Sequence, residues 1–358
     1  MGTTPERVLR THRGVARWCA EATNAGELLE GVAERMRPIL GQDAGAWLLT
    51  DPATVLFTDG FIEGFTDAAC TPWFHHELSV PNVATFAELA QQRAPVAVLS
   101  QATGGDVTTS PRWREVLEPA GLGRELRIVF REGGSAWGAA AVHRETSRAD
   151  FTVADAQLLA DLSGVVARGL RRLAVCERLA VDAPGGPGLL LVGPDHVARA
   201  GTPAGAEWLE LLGVPQGGAR QTWLLTLGEL VTGGGTSPRR VRMRAHDGRW
   251  VTLHAEPMTD GEASFAVIVE PSRPADVGAI AALAYGLSQR EQELVLALAR
   301  GEGTEAMAEA LCISTHTVRD HLKSIFDKTG VNSRNELLAR LFHDHYAEPF
   351  FERAVTTH

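Results

Sequence analysis

The sequence predicts a multi-domain α+β protein that ends in an all-α domain. The chain has 358 residues, which is long for one domain and suits two or three. Segments 184–187 and 271–274 each contain two prolines, and we interpret them as linkers. Upstream of each linker, helical and strand-like patterns alternate, whereas only helical patterns follow Leu287.

The composition is that of a core-forming protein, with 44% hydrophobic and 22% charged residues. No apolar run is long enough to span a bilayer and the N-terminus has no apolar signal region, so we expect a cytoplasmic protein without a membrane partner. Four cysteines, Cys19, Cys70, Cys176 and Cys312, form no CxxC pair, which predicts neither a zinc site nor a disulfide framework. The formal net charge of −10 argues against non-specific nucleic-acid binding, so a DNA reader would have to concentrate positive charge locally.

The first block is predicted to begin with helices at 8–20 and 25–40 and to end with a long helix that starts at Thr152. Strands are predicted between them at 44–50, 54–57, 96–99, 125–131 and 137–143, with helical pieces at 85–92 and 111–120. The apolar stripe of the long helix consists of Leu158, Leu159, Leu162, Val165, Val166, Leu170 and Leu173. A receiver domain does not fit, because the acidic pair and the phosphoryl-accepting aspartate that it needs do not follow strands here.

This order of elements, with the closing helix entered by Phe151-Thr152, resembles a GAF domain over residues 25–182, preceded by a helix within 1–24. The resemblance implies a GAF-like α/β sensory module, which would bind a small-molecule effector or mediate dimers. Many GAF domains have lost any ligand.

The second block, residues 188–271, opens with the apolar strand 189–192, the turn 193–196 and a helix that ends at Gly213. Strands are then predicted at 241–244, 250–254 and 265–269, and Asp247-Gly248 forms the hairpin turn between the first two. The opening strand-turn-helix and the Asp-Gly hairpin make this block similar to a short PAS-like α+β module.

Candidate chemistry is sparse in both blocks. The cluster Cys70, Trp73, Phe74, His75 and His76 suits a ligand pocket, haem binding or oxidation sensing, but we favour a loop whose aromatic side chains fill the core. Gly233-Gly234-Gly235 lacks the lysine of a phosphate-binding loop, and His343-Asp344-His345 has no further metal ligand nearby. No catalytic triad, carboxylate pair or dinucleotide motif is present, so we expect no enzyme activity, no metal and no cofactor.

The C-terminal segment contains four predicted helices with clear end signals. Ser288 and Glu291 form a capping box for helix one, which stops at Gly301. Helix two is predicted at 304–311, with Thr304 as a possible cap, and only Cys312 and Ile313 separate it from Ser314. Such a short connection forces a steep crossing, which is the helix-turn-helix geometry. Helix three ends at Gly330, and a second capping box of Ser333 and Glu336 precedes helix four, predicted from Asn335 to about Phe342.

Helix three has two distinct faces. The side chains expected in the core are Val318, Leu322, Ile325, Phe326 and Thr329, and the opposite face carries His316, Arg319, Asp320, Lys323 and Asp327. On the second helix of a helix-turn-helix, a polar face of this kind predicts contact with DNA. Arg319 and Lys323 suit guanine edges or phosphates, and Asp320 suits a cytosine amino group or the orientation of Arg319.

Other polar side chains are placed for phosphates, which position a helix without reading the base sequence. The predicted DNA-binding set is Ser314, Thr315, His316, Thr317, Arg319, Asp320, Lys323, Lys328 and Arg334. Between Gly286 and Tyr346 the sequence has seven Lys or Arg and nine Asp or Glu. Residues 314–340 have five Lys or Arg and three Asp or Glu. The positive charge is therefore confined to the half that carries helix three, so we expect modest affinity per domain and binding as a dimer.

Three ordered blocks carry a resemblance to the LuxR-type (NarL/FixJ-type) DNA-binding domain. They are Leu287-Ser288-x-Arg290-Glu291, Leu311-x-Ile313-Ser314-x-x-Thr317-Val318-Arg319-x-His321 and Lys328-x-Gly330-Val331-x-Ser333-Arg334-x-Glu336-Leu337. The resemblance assigns 283–346 to this domain and 347–358 to a tail. It implies that helix three enters the major groove and that helix four pairs two protomers on near-palindromic double-stranded DNA. Glu305 departs from the family pattern, which has a basic residue there, and this puts contacts from helix two in doubt.

Two hypotheses follow for function. In the first, the chain is a sequence-specific transcription regulator whose GAF-like and PAS-like modules control DNA binding through the long helix and the segment 277–284. In the second, it is an interaction scaffold whose C-terminal domain dimerises or binds a partner protein, with DNA contact weakened by Glu305, Asp320 and Asp327. Helix four is apolar on more than one side, which favours a homodimer over cover by the chain's own N-terminal modules.

Overall fold

A computed structural model describes residues 5–175, 186–213, 221–233, 239–259 and 264–343. The chain divides into two compact units, Met1–Pro271 and Ser272–His358. The two antiparallel sheets of the first unit and the helical second unit confirm the predicted multi-domain α+β class. None of the described helices has the length and apolarity that a membrane crossing requires.

The first module of unit one is a five-stranded antiparallel sheet with helices on both faces. In chain order its elements are α1 (Pro5–Glu21), α2 (Ala25–Leu40), β1 (Ala44–Thr50), β2 (Phe57–Glu63), α3 (Asp67–Leu78), α4 (Phe86–Gln91), β3 (Val96–Val98), α5 (Leu99–Ala102), β4 (Leu122–Glu132), β5 (Ser135–Glu145) and α6 (Val153–Val175). The strand order is β2-β1-β5-β4-β3. Trp73 and Phe74 of α3 pack with Ala46 and Leu48 of β1 in one core, while Trp47 stacks on Phe130 (ring centroids 6.3 Å apart).

Two predictions in this module are wrong. The strand expected at 54–57 is a turn, in which Asp51 N–H donates to the Leu56 carbonyl (2.9 Å) and Val55 has a positive φ of 63°. Strand β2 begins at Phe57 and was not predicted. Its sequence includes Asp and Gly and most of its residues are half-exposed, which an edge strand tolerates. The loop expected around Cys70 is the helix α3, and Pro72 lies within it.

The boundaries of other elements move by a few residues. β3 ends at Val98, since Leu99 begins α5, while β4 and β5 are longer than predicted. A π-helical turn at Trp113–Leu117 lies within the predicted helix 111–120. Thr152 and Asp155 exchange hydrogen bonds at the start of α6 (2.9 and 3.1 Å), so the expected signal for that helix is present.

The second module contains β6 (Gly188–Val192), β7 (Ala198–Ala200), α7 (Pro203–Leu211), α8 (Thr222–Thr232), β8 (Arg240–Arg244), β9 (Trp250–Pro257) and β10 (Phe265–Pro271). Its antiparallel order, β7-β6-β10-β9-β8, repeats that of the first sheet. Helix α8, whose residues 222–231 are all buried, was not predicted from the sequence. Helix α8 lies between two hydrophobic cores: Leu225 packs in the core of the first module and Leu224 in the core of the second. Because the helix is enclosed on all sides, its sequence lacks the apolar stripe with helical period that would identify it.

Unit two is all helical in its described part. Its elements are α9 (Pro274–Ala284), α10 (Gln289–Ala299), α11 (Thr304–Ala310), α12 (Thr315–Thr329) and α13 (Arg334–Leu338), the last continued by a π-helical turn at Ala339–His343. The core is formed by Leu294, Val295, Leu298, Met307, Val318, Leu322, Ile325, Leu337 and Leu341. Leu338 packs against the same core and is partly buried. The side chain of Phe342 lies outside the described set.

Candidate nucleic-acid interface

The connection between α11 and α12 is a tight turn fixed by backbone hydrogen bonds. Ile313 N–H donates to the Ala308 carbonyl (3.0 Å), and Cys312 adopts a left-handed φ of 51°. The Ser314 side chain then accepts from Thr317 N–H (3.0 Å) and starts α12 as its N-cap. Four residues, 311–314, connect the two helices, and a connection this short is typical of the helix-turn-helix.

The faces of α12 divide as the helical projection predicts. Val318, Leu322, Ile325 and Thr329 are buried, and Phe326 packs partly against the same core. The exposed side chains are Ser314, His316, Arg319, Asp320, Lys323, Asp327 and Lys328, whereas Thr315 and Thr317 are half-buried. The helix therefore presents a polar face along its length, with the candidate residues aligned on it.

Arg319 and Lys323 differ from the other basic residues between Gly286 and His343. In this part of the chain they are the two that have no hydrogen bond or ion pair with a described residue, and they lie one helical turn apart. The others are engaged within the domain: Arg290 with Glu293, Arg300 with Glu302, Lys328 with Glu291, Arg334 with Thr304 and Arg340 with the Thr329 carbonyl. The unpaired positive charge is thus concentrated on the exposed face of α12.

Glu291 joins the first and third helices of the domain. Its carboxylate accepts from Ser288 N–H (2.6 Å), from the Ser324 hydroxyl (2.7 Å) and from the Lys328 ammonium (2.6 Å). Burial raises the pKa of this carboxyl, but these hydrogen bonds outweigh burial and lower the pKa to about 2. From the sequence, Glu291 is expected in a capping box and Lys328 at a DNA phosphate. In the structure the charge of Lys328 is compensated by Glu291.

Two expected caps differ in the structure. Gly303, not Thr304, is the N-cap of α11, and the Thr304 hydroxyl accepts from Arg334 (2.6 Å). Ser333 caps α13 as predicted, yet the Glu336 side chain accepts from Asn332 N–H instead of closing the box on Ser333. Arg334 is half-buried and links α13 to α11 through the Thr304 hydroxyl. Glu305 is exposed at the start of α11. The acidic residue that departs from the family pattern therefore lies on the surface of the domain.

Three other candidate side chains pack or pair within unit one. Trp73 and Phe74 of α3 fill the core, with Phe74 and Phe57 packed edge to face at 5.6 Å, while His75 contacts Glu229 (2.9 Å). Across the described residues, no group of three or more His, Cys, Asp and Glu side chains is arranged to hold a metal ion. Gly234, Gly235, Asp344, His345 and Cys176 lie outside the described residues.

Residues 286–341 match the family described as bacterial regulatory proteins, luxR family. The Pseudomonas putida transcriptional activator protein ExaE is 45% identical over 53 residues, which cover 15% of this chain and 25% of that protein. The chain therefore matches only a quarter of the length of this relative. Together with the helical geometry, these matches show that the C-terminal domain is a LuxR-type helix-turn-helix domain.

Two solved structures align with this chain at low sequence identity. The GAF domain of an Acinetobacter phosphoenolpyruvate-protein phosphotransferase aligns with 49% of this chain and 99% of its own, at 13% identity and a TM-score of 0.35. Escherichia coli SdiA aligns with 93% of this chain and 95% of its own, at 12% identity and a TM-score of 0.36.

Proposed function

We propose that this chain is a sequence-specific DNA-binding transcription regulator, in which α12 enters the major groove. The observation that carries the proposal is the pair Arg319 and Lys323, both exposed, one turn apart and without a partner among the described residues of a LuxR-type domain. A charged side chain that makes no contact in its own domain keeps its full hydrogen-bonding capacity for another molecule. Guanine edges and phosphates accept such hydrogen bonds.

The proposed roles follow from position along the helix. Arg319 and Lys323 reach base edges or the flanking phosphates, and Asp320 orients Arg319 or accepts from a cytosine amino group. His316 contacts Asp320 at 3.8 Å and extends the same face. Ser314, Thr315 and Thr317 surround the helix N-terminus, where unpaired backbone N–H groups attract a phosphate. Lys328 and Arg334 act mainly by holding helices in place, since both are engaged internally.

A homodimer on a near-palindromic site is part of the proposal. A domain with only two uncompensated basic side chains on its recognition helix makes few phosphate contacts, so one copy binds weakly. Two copies on one duplex combine their contacts, and an isologous pair produces an inverted repeat.

Control of DNA binding by the N-terminal modules completes the proposal. We divide the chain into a helix within 1–24, a GAF-like module at 25–182, a PAS-like module at 188–271, the DNA-binding domain at 283–346 and a tail at 347–358. Within unit one, Arg242 binds Asp51, and His75 and Ser79 bind Glu229, so the two modules are joined by buried or half-buried polar contacts. An effector that binds one arrangement of these modules better than another would shift the chain toward that arrangement.

The test is selection of binding sites from random duplex DNA by the full chain, followed by titration of the selected site at several salt concentrations. We expect an enriched inverted repeat. Arg319→Ala should weaken DNA binding at least about tenfold. It should also reduce the salt slope, which is the magnitude of the slope of log K against log salt concentration, by about one. Arg300→Ala is the matched control, because it removes an equal charge from an exposed side chain distant from α12 in sequence.

Two outcomes would contradict the proposal. Equal binding by the Arg319→Ala and wild-type chains would show that α12 does not read DNA. Failure to enrich any site, with the domain folded and dimeric, would favour the interaction scaffold.

A further inference from the structure

Helix α11, the first of the two helices in the helix-turn-helix, is short and buries few side chains. Of its seven residues, Met307 and Ala308 are buried, and Leu311, which follows the helix, packs partly against the same core. A helix of this length has little stability by itself, and its direction depends on contacts with its neighbours. Because α11 leads directly into the turn that starts α12, a contact that holds the end of α11 also affects the direction of α12.

Arg290 on α10 holds the carboxyl end of α11. One terminal nitrogen of its guanidinium, Nη2, donates to the Leu311 carbonyl at 2.8 Å, and the other, Nη1, donates to Glu293 at 2.7 Å. The last carbonyls of a helix have no partner within the helix and carry a partial negative charge. Arg290 therefore supplies a charged donor at this end of α11, and Glu293 fixes the direction of the guanidinium.

The contact of Arg290 immediately precedes a strained backbone conformation. Cys312, the next residue after Leu311, has a φ of 51°, in the left-handed region that residues other than glycine adopt at a cost in free energy. Such a conformation persists only where its surroundings hold it in place. Arg290 thus fixes the chain at the residue from which the turn into α12 departs.

The neighbouring residue on α10, Glu291, holds α12 itself. Its carboxylate accepts from the Ser324 hydroxyl at 2.7 Å and from the Lys328 ammonium at 2.6 Å. Ser314, where α12 starts, and Ser324 are about 15 Å apart along the helix axis. Arg319 lies midway between them. Helix α10 therefore holds the segment that carries Arg319 on both sides, and two separated contacts fix its direction as well as its position.

Arg290 differs from the residues proposed to contact DNA. Both of its terminal nitrogens have acceptors in the protein, whereas Arg319 has no hydrogen bond or ion pair with a described residue. The side chain of Arg290 is 43% exposed, so its ion pair with Glu293 by itself contributes little to stability. The main effect of the side chain is geometric, because it links α10 to the end of α11.

We propose that Arg290 is a positioning residue for DNA recognition, which sets through the Leu311 carbonyl the angle at which α12 presents Arg319 to the bases. This role rests on the proposed function and adds the residue that directs the recognition helix. Hydrogen bonds to base edges require a donor placed within about 0.5 Å of its ideal position. Phosphate contacts depend on charge and tolerate larger displacements. Loss of the Arg290 contact should therefore weaken specific binding more than non-specific binding.

The test titrates the full chain with two duplexes at one salt concentration: the site selected from random DNA and a scrambled sequence of the same composition. Arg290→Ala should weaken binding to the selected site about tenfold and change binding to the scrambled duplex less than about twofold. Arg290→Lys retains the charge and a donor for the Leu311 carbonyl, so it should recover most of the lost affinity. Arg300→Ala is the matched control, because it removes an equal charge from an exposed side chain that pairs with Glu302, and both affinities should stay within about twofold of wild type.

Hydrogen exchange separates this positioning role from a loss of folding. In Arg290→Ala, peptides that cover the turn 308–314 should exchange faster than in wild type. Peptides within 294–298 and 318–326, which contain the buried residues of α10 and α12, should keep their protection.

Three results would overturn the positioning role. Wild-type affinity of Arg290→Ala for the selected site, with affinity lost in Arg319→Ala, would remove the role and leave the proposed DNA binding intact. Equal losses on both duplexes would assign Arg290 to phosphate contact. Loss of protection throughout 286–341, or an Arg290→Lys chain that binds no better than Arg290→Ala, would make the side chain a general structural element. If neither Arg290→Ala nor Arg319→Ala weakens binding, the proposed function itself fails.

Discussion

Arg242 on β8 and Asp51 after β1 form a bidentate ion pair, with N–O distances of 2.8 and 2.9 Å, although 191 positions separate them in the chain. Both side chains are at least nine-tenths buried. The pair joins the edge of one module to the sheet of the other. Its two parallel hydrogen bonds fix orientation as well as distance.

Arg242→Ala should destabilise unit one by about 3–5 kcal/mol, because Asp51 would remain buried without its cation. Urea unfolding followed by tryptophan fluorescence measures this unit alone, since all eight tryptophans precede Pro271. The control is Arg17→Ala, which breaks an exposed pair with Glu21 and should leave the midpoint unchanged. Replacing Asp51 with Leu and Arg242 with Met together should recover part of the loss, and an unaltered midpoint for Arg242→Ala would contradict this account.

Glu291 predicts a dependence of the helical domain on pH. Its pKa of about 2 is below the ordinary value of 4.5, so the stabilisation is complete above the unfolded-state pKa and is lost as pH falls toward 2. The full contribution is about 3 kcal/mol. Hydrogen exchange of peptides within 286–341 should show wild type more protected than Glu291→Gln at pH 6, with the difference smaller by about 1 kcal/mol near pH 3.5.

Glu293→Gln controls for that experiment, because Glu293 is partly exposed on the same helix and, among the described residues, pairs with Arg290 alone. We expect its difference from wild type to be small at both pH values. A Glu291→Gln difference that stayed constant from pH 6 to about 3.5 would show that the carboxylate is not the source of the stabilisation.

Lys323 and Lys328, five positions apart on α12, should have opposite phenotypes. Lys323→Ala should weaken DNA binding and lower the salt slope by about one, while leaving hydrogen exchange unchanged, because its ammonium has no described partner in the domain. Lys328→Ala should speed exchange by a factor that corresponds to about 1 kcal/mol, since Glu291 loses a 2.6 Å partner at a partly exposed site. The reverse pattern would mean that the two roles are assigned wrongly.

Ser314 combines a cap with a place at the proposed phosphate contact. Ser314→Ala should destabilise the domain by about 1 kcal/mol, because Thr317 N–H loses its acceptor. Ser314→Asp retains an acceptor but adds a negative charge, so stability should be kept while DNA affinity falls. Ser333→Ala removes the equivalent cap of α13 and should cost stability with a smaller effect on DNA. Undiminished affinity for Ser314→Asp would exclude a phosphate at this helix end.

Local signals explain why parts of the fold were predictable. Ser288, Ser314 and Ser333 cap their helices as expected, and Gly330 ends α12 with a φ of 69°, because each acts on backbone within a few residues. The strand 44–50 was correct because its apolar run is buried along nearly its whole length. Strand β2 was missed because a partly exposed edge strand lacks the alternation of apolar and polar residues that identifies a strand. Helix α8 was missed because a fully enclosed helix lacks the apolar period that identifies a helix.

The sequence by itself determined the kind of domain at the C-terminus and which face of α12 is polar, since helical spacing and caps are properties of neighbouring residues. Only the tertiary structure decided which of the polar residues are available. Lys323 and Lys328 are the same residue type on the same helix, but Lys328 pairs with Glu291, 37 positions away in the chain, and Lys323 does not. The contact of Arg290 with the Leu311 carbonyl, 21 positions away, likewise depends on how α10 and α11 pack. Contacts between distant segments depend on the packing of whole elements, which no local pattern encodes.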